Sequence, residues 1–225
     1  MTELNKATLD FLENLKSRDD VLGVVLFGSW ARGNQRPSSD VDLVVIVKEG
    51  YKRSVERLDG QVFEIIYVTA EGAKDYYKTD LDATQRFWKI AKILFDRDKS
   101  AEGVKQFAIN LTSKGKKPLS DDTLRHFEFD AQDQISFAED AHKNGDIATA
   151  NLILSIKMAA LTEIYFDTIN EWRPAPKQVL SEIKSRDSNL HGYFVRFFSD
   201  NITFDEKVAV ASEIVKAIFN SEGLA

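Results

Sequence analysis

Residues 24–47 read VVLFGSWARGNQRPSSDVDLVVIV: two apolar runs around a Gly-Ser turn, a small basic loop and two carboxylates one residue apart. The apolar run from Val24 to Phe27 predicts a buried strand, and the run from Val41 to Val47 predicts another. Gly28 and Ser29 stand where the first strand must turn. Glycine takes backbone geometries closed to other residues and lets a phosphate approach the main chain. Trp30-Ala31-Arg32 then predicts a short helical turn whose free N–H groups face any bound anion. Asp40 and Asp42 lie two apart on a strand, so both carboxylates leave one face of the sheet. Two ionised carboxylates side by side repel each other unless a cation lies between them. Oxygen-only ligands beside a phosphate-cradling turn suit Mg2+. The stretch is therefore expected to handle a nucleoside triphosphate.

The whole string G-S-W-A-R-G-N-Q-R-P-S-S-D-V-D-L resembles the signature of the DNA polymerase β-like nucleotidyltransferase superfamily. The shared features are Gly28-Ser29, a ten-residue interval and Asp40-x-Asp42, with Ala-Arg-Gly after the turn and Ser39 before the first acid. Aminoglycoside and lincosamide nucleotidyltransferases are members, as are many small prokaryotic proteins. The resemblance implies an α/β mixed-sheet nucleotidyltransferase fold that uses Mg2+ and a nucleoside triphosphate, with ATP as the expected co-substrate. It implies Asp40 and Asp42 as catalytic metal ligands, and Gly28 and Ser29 as binders of the nucleotide phosphates. Arg32 and Arg36 lie in the phosphate loop, where phosphate binding and a structural ion pair are equally open; Arg32 matches the motif.

The chain has 225 residues, enough for one large domain or two small ones with a sizeable core. Apolar residues at 43% and charged residues at 29% are ordinary for a globular protein. No uninterrupted apolar run approaches the roughly 18–20 residues needed to cross a bilayer, and the first ten residues lack the pattern of a secretory signal. No membrane partner is expected. The absence of cysteine excludes thiolate chemistry and fits a cytoplasmic location. A net charge of −6 argues against a surface built to grip a long nucleic acid.

Outward from the motif, Leu4, Ala7, Phe11, Leu12 and Leu15 predict an amphipathic helix over residues 3–17. Residues 50–60 are polar, with Val55 and Leu58 placed for one helical face, and are expected to wrap the sheet edge. Residues 61–69, with VFEIIYV at their centre, predict a third strand. Glu64 sits in its middle, where an ionised group without a partner costs several kcal/mol. Members of the superfamily place a third carboxylate on the strand beside D-x-D, so the resemblance gives Glu64 that role as metal ligand or general base. Glu56 and Asp59 are the fallback acids, in loop-like sequence. Residues 71–91 read as helical, and 90–95 as a short strand whose I-L-F-D-R-D is similar to a segment in several small nucleotidyltransferases.

Residues 112–120, TSKGKKPLS, form the expected boundary between a catalytic domain over 1–118 and an all-α helical bundle over 119–225. Apolar positions step by three and four from Leu124 to His142 and from Ile147 to Tyr165. Asn144-Gly145 separates the two runs. Lys177 opens a short helix, and Thr203 with Glu206 predicts a capping box for a last one. A C-terminal bundle is similar to the architecture of the antibiotic nucleotidyltransferases, where the substrate lies between the domains. On that resemblance Lys157 is a candidate for reaching the triphosphate, with a snorkelling surface lysine as the alternative. Trp172 and Lys177, in a stiff aromatic and basic turn, are acceptor-binding candidates. Arg186 and His191 have a spacing similar to that of HEPN-type RNases, which by itself assigns them no role.

The resulting expectation is a nucleotidyltransferase that moves AMP from ATP to a hydroxyl on a small-molecule acceptor, such as an aminoglycoside-like antibiotic. The other readings are a protein acceptor, as in toxin–antitoxin pairs, or a nucleotide-binding module without chemistry. A homodimer is compatible with the sequence, which does not decide the oligomeric state.

Overall fold

The computed structural model describes residues 4–219, which divide between Lys114 and Gly115 into two compact units. The first holds a five-stranded sheet in the order β3-β4-β2-β1-β5. Its strands are β1 (Val21–Phe27), β2 (Val41–Val47), β3 (Tyr51–Leu58), β4 (Gln61–Val68) and β5 (Lys92–Asp96). β2 runs parallel to β4, and every other neighbouring pair is antiparallel, so the sheet is mixed. β1, β2 and β4 are largely apolar because helices pack on both faces of the sheet.

One face is covered by α1 (Lys6–Ser17), whose Phe11, Leu12 and Leu15 pack with Val24, Leu26, Leu43 and Phe63. Phe11 stacks on Phe63 with ring centroids 4.1 Å apart. Asn5 starts this helix by accepting the Thr8 backbone N–H at 2.8 Å. α3 (Ala70–Thr79), α4 (Leu81–Ile90) and α5 (Ser100–Thr112) cover the other face around Val25, Val44, Ile46 and Tyr77. The expected single helical stretch over 71–91 is two helices. Asp80 leaves helical geometry and its carboxylate caps α4 at the Ala83 N–H, 2.8 Å away.

The expectation for residues 50–60 is corrected. They form the edge strand β3, which makes Gln61–Val68 the fourth strand rather than the third. Asp59 and Gly60 both take positive φ, 48° and 81°, as a two-residue hairpin turn requires. Asp-Gly was the available signal, and an exposed edge strand lacks the apolar run that marks its neighbours. α5 was also absent from the sequence reading. Its N-terminus is capped from outside, with the Asp96 carboxylate accepting from the Ala101 and Glu102 N–H groups. Gly23 permits the approach of α5, since a Cβ there would lie 2.8 Å from the Ala101 Cβ.

The second unit contains α6 (Asp121–Lys143), α7 (Ile147–Thr168), α8 (Val179–Arg186), α9 (Ser188–Phe197) and α10 (Phe204–Phe219), with a 3-10 turn at Pro176–Gln178. Leu154, Met158, Leu161, Phe166, Phe194 and Ile214 form its core. Ser120 and Asp146 cap α6 and α7, and Thr203 with Glu206 makes the expected capping box before α10. By length and composition, with mean hydropathy 1.4, α7 could cross a membrane, which counting uninterrupted runs missed. Here its buried stripe supplies the centre of the bundle. Asp167, buried on α7, is held by Lys116 and Arg173, so its charge is compensated.

Candidate active site

The site begins where β1 ends. Gly28 has φ +68°, and a Cβ there would lie 1.7 Å from Asp42 Oδ2. The residue is thus fixed twice, by a left-handed backbone and by the close approach of a carboxylate. The chain then enters the single-turn helix α2 (Gly28–Arg32), which Gly33 terminates in left-handed geometry. Trp30 and Ala31 anchor α2 in the core, while Ser29 stays half-buried at its second position. The loop back to β2 is tied at Ser39, whose carbonyl accepts from Trp30 Nε1 at 3.4 Å and Gln61 Nε2 at 2.9 Å. Those two bonds hold the residue immediately before Asp40.

Strand register brings the acids together. Phe27, Asp42, Glu64 and Val55 are cross-strand partners in one row over β1, β2, β4 and β3. Asp40 precedes Asp42 by two residues. Carboxylate oxygens of Asp40, Asp42 and Glu64 all lie within 4.8 Å of one another. Asp40 is exposed and the other two are half-buried, so the cluster opens to solvent. Three carboxylates at this separation form a hard, oxygen-only donor set, which fits a divalent cation such as Mg2+. Glu64 also has a protein cation: Arg53 Nη2 lies 2.6 Å from its Oε1. This pairing answers the desolvation cost expected for a mid-strand acid. The sequence reading missed Arg53 because its strand was not recognised; with β3 assigned, alternation puts Arg53 one step from Val55 on the Glu64 face.

The other candidates fall elsewhere. Glu56 lies on the opposite side of β3 from Val55, near the Tyr67 hydroxyl at 3.4 Å, and Asp59 is in the hairpin turn. Neither belongs to the carboxylate cluster. Arg32 is exposed at the end of α2. Lys157 is ion-paired with Asp130 across α6 and α7, which accounts for a lysine in that apolar helix without a ligand. Trp172 is half-buried and Lys177 exposed beyond α7. Their neighbours Pro174 and Pro176 line a pocket of about 270 Å³ with Thr162 and Leu180. Arg186 is engaged by Glu171 and Glu182, which hold its guanidinium above its ordinary pKa, and His142 stacks on Phe204.

A glycine turn against a D-x-D strand, with a third acid on the adjacent parallel strand, is the arrangement expected from the sequence resemblance. Residues 10–99 match the family model described as the nucleotidyltransferase domain, a segment that contains Gly28, Ser29, Asp40, Asp42 and Glu64. A protein of Methanocaldococcus jannaschii, provisionally named a protein adenylyltransferase, is 44% identical over 69 residues. The match spans 28% of this chain and 47% of that relative, so it covers about half of the relative's length. The crystal structure of a nucleotidyltransferase-like protein from Exiguobacterium sibiricum is similar in fold, with a TM-score of 0.53 at 11% identity. The likeness covers 96% of this chain and 74% of the other.

Proposed function

We propose that this protein is a Mg2+-dependent nucleotidyltransferase that transfers AMP from ATP to a hydroxyl group. The convergence of Asp40, Asp42 and Glu64 within 4.8 Å beside Gly28 is the observation that carries the reading. Asp40, Asp42 and Glu64 would hold Mg2+, which neutralises triphosphate charge and polarises the α-phosphorus when bound. Gly28, lacking a side chain, leaves room for the Asp42 carboxylate at the turn, and Ser29 offers its hydroxyl and backbone N–H to the phosphates. The acceptor oxygen bonds to the α-phosphorus, the bond to the bridging oxygen breaks, and pyrophosphate departs with those electrons. Glu64 serves either as the third of those metal ligands or as the group that receives the hydroxyl proton. Orientation and charge neutralisation supply most of the acceleration in such transfers.

The acceptor has two readings. A small hydroxyl-bearing molecule is the one expected from the antibiotic-modifying members of the superfamily, with Trp172 and Lys177 as its candidate contacts. A protein hydroxyl is favoured by the 44% identity to a relative named for protein adenylylation. Incubation with α-labelled ATP and either a panel of aminoglycosides and related polyols or a cell lysate tests both. Label on a small molecule or a polypeptide, matched by pyrophosphate, supports the corresponding reading. Release of inorganic phosphate without label transfer would refute nucleotidyl transfer.

A further inference from the structure

Three rows of cross-strand partners lie on the sheet face that bears the carboxylates. The first is Val55, Glu64, Asp42 and Phe27; the second is Arg53, Ile66, Val44 and Val25; the third is Tyr51, Val68, Ile46 and Gly23. Next to the carboxylates this face is not fully covered by helices. A pocket of about 450 Å³ opens there, floored by Phe27, Val44, Ile66 and Val68 and walled by α3 and α4. Its volume lies in the roughly 300–1,000 Å³ range of small-ligand sites. The second row stands about 7 Å from the carboxylate row and the third about 13 Å, at two residues per step along a strand.

The lining is apolar and aromatic. Tyr51 and Tyr76 keep 67% and 60% of their surface exposed, and Tyr77 and Phe87 lie deeper. The hydroxyls inside are already committed. Thr69 Oγ1 accepts from the Gly72 N–H, and Thr84 Oγ1 donates to backbone carbonyls 2.8 and 3.1 Å away. Burial raises the Tyr77 hydroxyl well above its ordinary pKa, so it stays neutral. Arg53 connects the two places: it lines the pocket and also bonds Glu64.

We propose that this pocket receives the base of the nucleoside triphosphate, a flat aromatic ring held by stacking and apolar contact. The inference rests on the nucleotidyltransferase reading and adds to it a site on the first unit for the nucleoside. A phosphate at the carboxylates places its attached base one ribose away, which is where the pocket begins. Apolar walls with satisfied hydroxyls suit a π-face and would penalise a charged phosphate. Arg53 at the junction supplies a cation where the ribose meets the α-phosphate.

Calorimetric titration of the full chain with Mg·ATP and, separately, Mg·tripolyphosphate tests the proposal. Both contain the phosphates, and only ATP contains the base. The exposed pair is replaced in Tyr51→Ala/Tyr76→Ala, and a second variant, Ala83→Trp, fills the pocket from its wall. Base–aromatic stacking is worth a factor of about ten per base, so each variant should bind Mg·ATP at least about tenfold more weakly. Tripolyphosphate affinity should stay within about twofold of the unsubstituted protein. Unchanged ATP affinity in both variants would overturn the base pocket and leave the carboxylate site standing. Equal loss for both ligands would also overturn it. If the unsubstituted protein bound neither ligand, the nucleotidyltransferase reading itself would fall.

Discussion

Gly28→Ala tests the closest contact of the site and can be sized from the structure. At φ +68° an alanine carries the left-handed penalty of roughly 1–2 kcal/mol. Its Cβ would also fall 1.7 Å from Asp42 Oδ2 and 2.6 Å from Asp42 Cγ, so the carboxylate must leave its rotamer. A forced off-rotamer side chain adds about 0.5–1.5 kcal/mol, for a total near 1.5–3.5 kcal/mol. Only the second part depends on Asp42. Equilibrium urea unfolding of the four proteins in a Gly28→Ala, Asp42→Ala cycle separates the parts. Trp30 and Trp88 lie in the first unit, so a Trp172→Phe background makes fluorescence report on that unit alone. In the Asp42→Ala background, Gly28→Ala should cost the backbone part and the remaining 3.1 Å approach of the residue-42 Cβ, with relief of the carboxylate clash leaving a coupling of about 0.5–1.5 kcal/mol. Equal cost in both backgrounds would show that the carboxylate does not rest against the glycine.

Glu64→Gln should lower kcat by at least ~10²-fold while sparing Mg·ATP affinity, as the loss of a base or ligand acting on the acceptor predicts; an unchanged kcat would leave Arg53 as its main purpose. Lys157→Met should leave Mg·ATP affinity within about twofold, because Asp130 already occupies the ammonium; a large loss in calorimetry would restore the lysine to the nucleotide site. The Thr203 backbone N–H holds the Glu206 carboxyl below its ordinary 4.5. Its contribution to stability is therefore present above about that pH and is lost as pH falls through the lowered value. Glu206→Gln should flatten this acid limb of the urea midpoint, and an unaltered limb would assign it to other carboxylates.

The legible parts of the fold were those where composition and geometry coincide. β1 and β2 are buried on both faces, so their apolar runs stand out, and the turn between them needs glycine because Asp42 occupies the space of its side chain. α6, α7 and α10 announce themselves by caps and periodicity. β3 was hidden because an edge strand exposes its outer residues; Tyr51, Arg53 and Val55 look like any polar loop until Asp59-Gly60 is taken as a hairpin turn. α5 was hidden because Asp96, outside the helix, supplies its cap. The site was legible in the same measure. Gly28, Asp40 and Asp42 are fixed by local spacing, and Glu64 by its oddity in an apolar strand. Arg53 follows only once Asp59-Gly60 is taken as the hairpin turn that sets the β3–β4 register, and the aromatic pocket depends on how α3 and α4 pack on the sheet.

Joint action of Asp40, Asp42 and Glu64 on a nucleoside triphosphate is the central claim. It is tested most directly by incubating the unsubstituted protein, Asp40→Asn and Asp42→Asn with Mg2+, α-labelled ATP and the acceptor found by screening. The unsubstituted protein should release one pyrophosphate per labelled acceptor. Neither variant should show transfer above background, with all three proteins folded by circular dichroism. Transfer by Asp40→Asn or Asp42→Asn at the unsubstituted rate would contradict the claim.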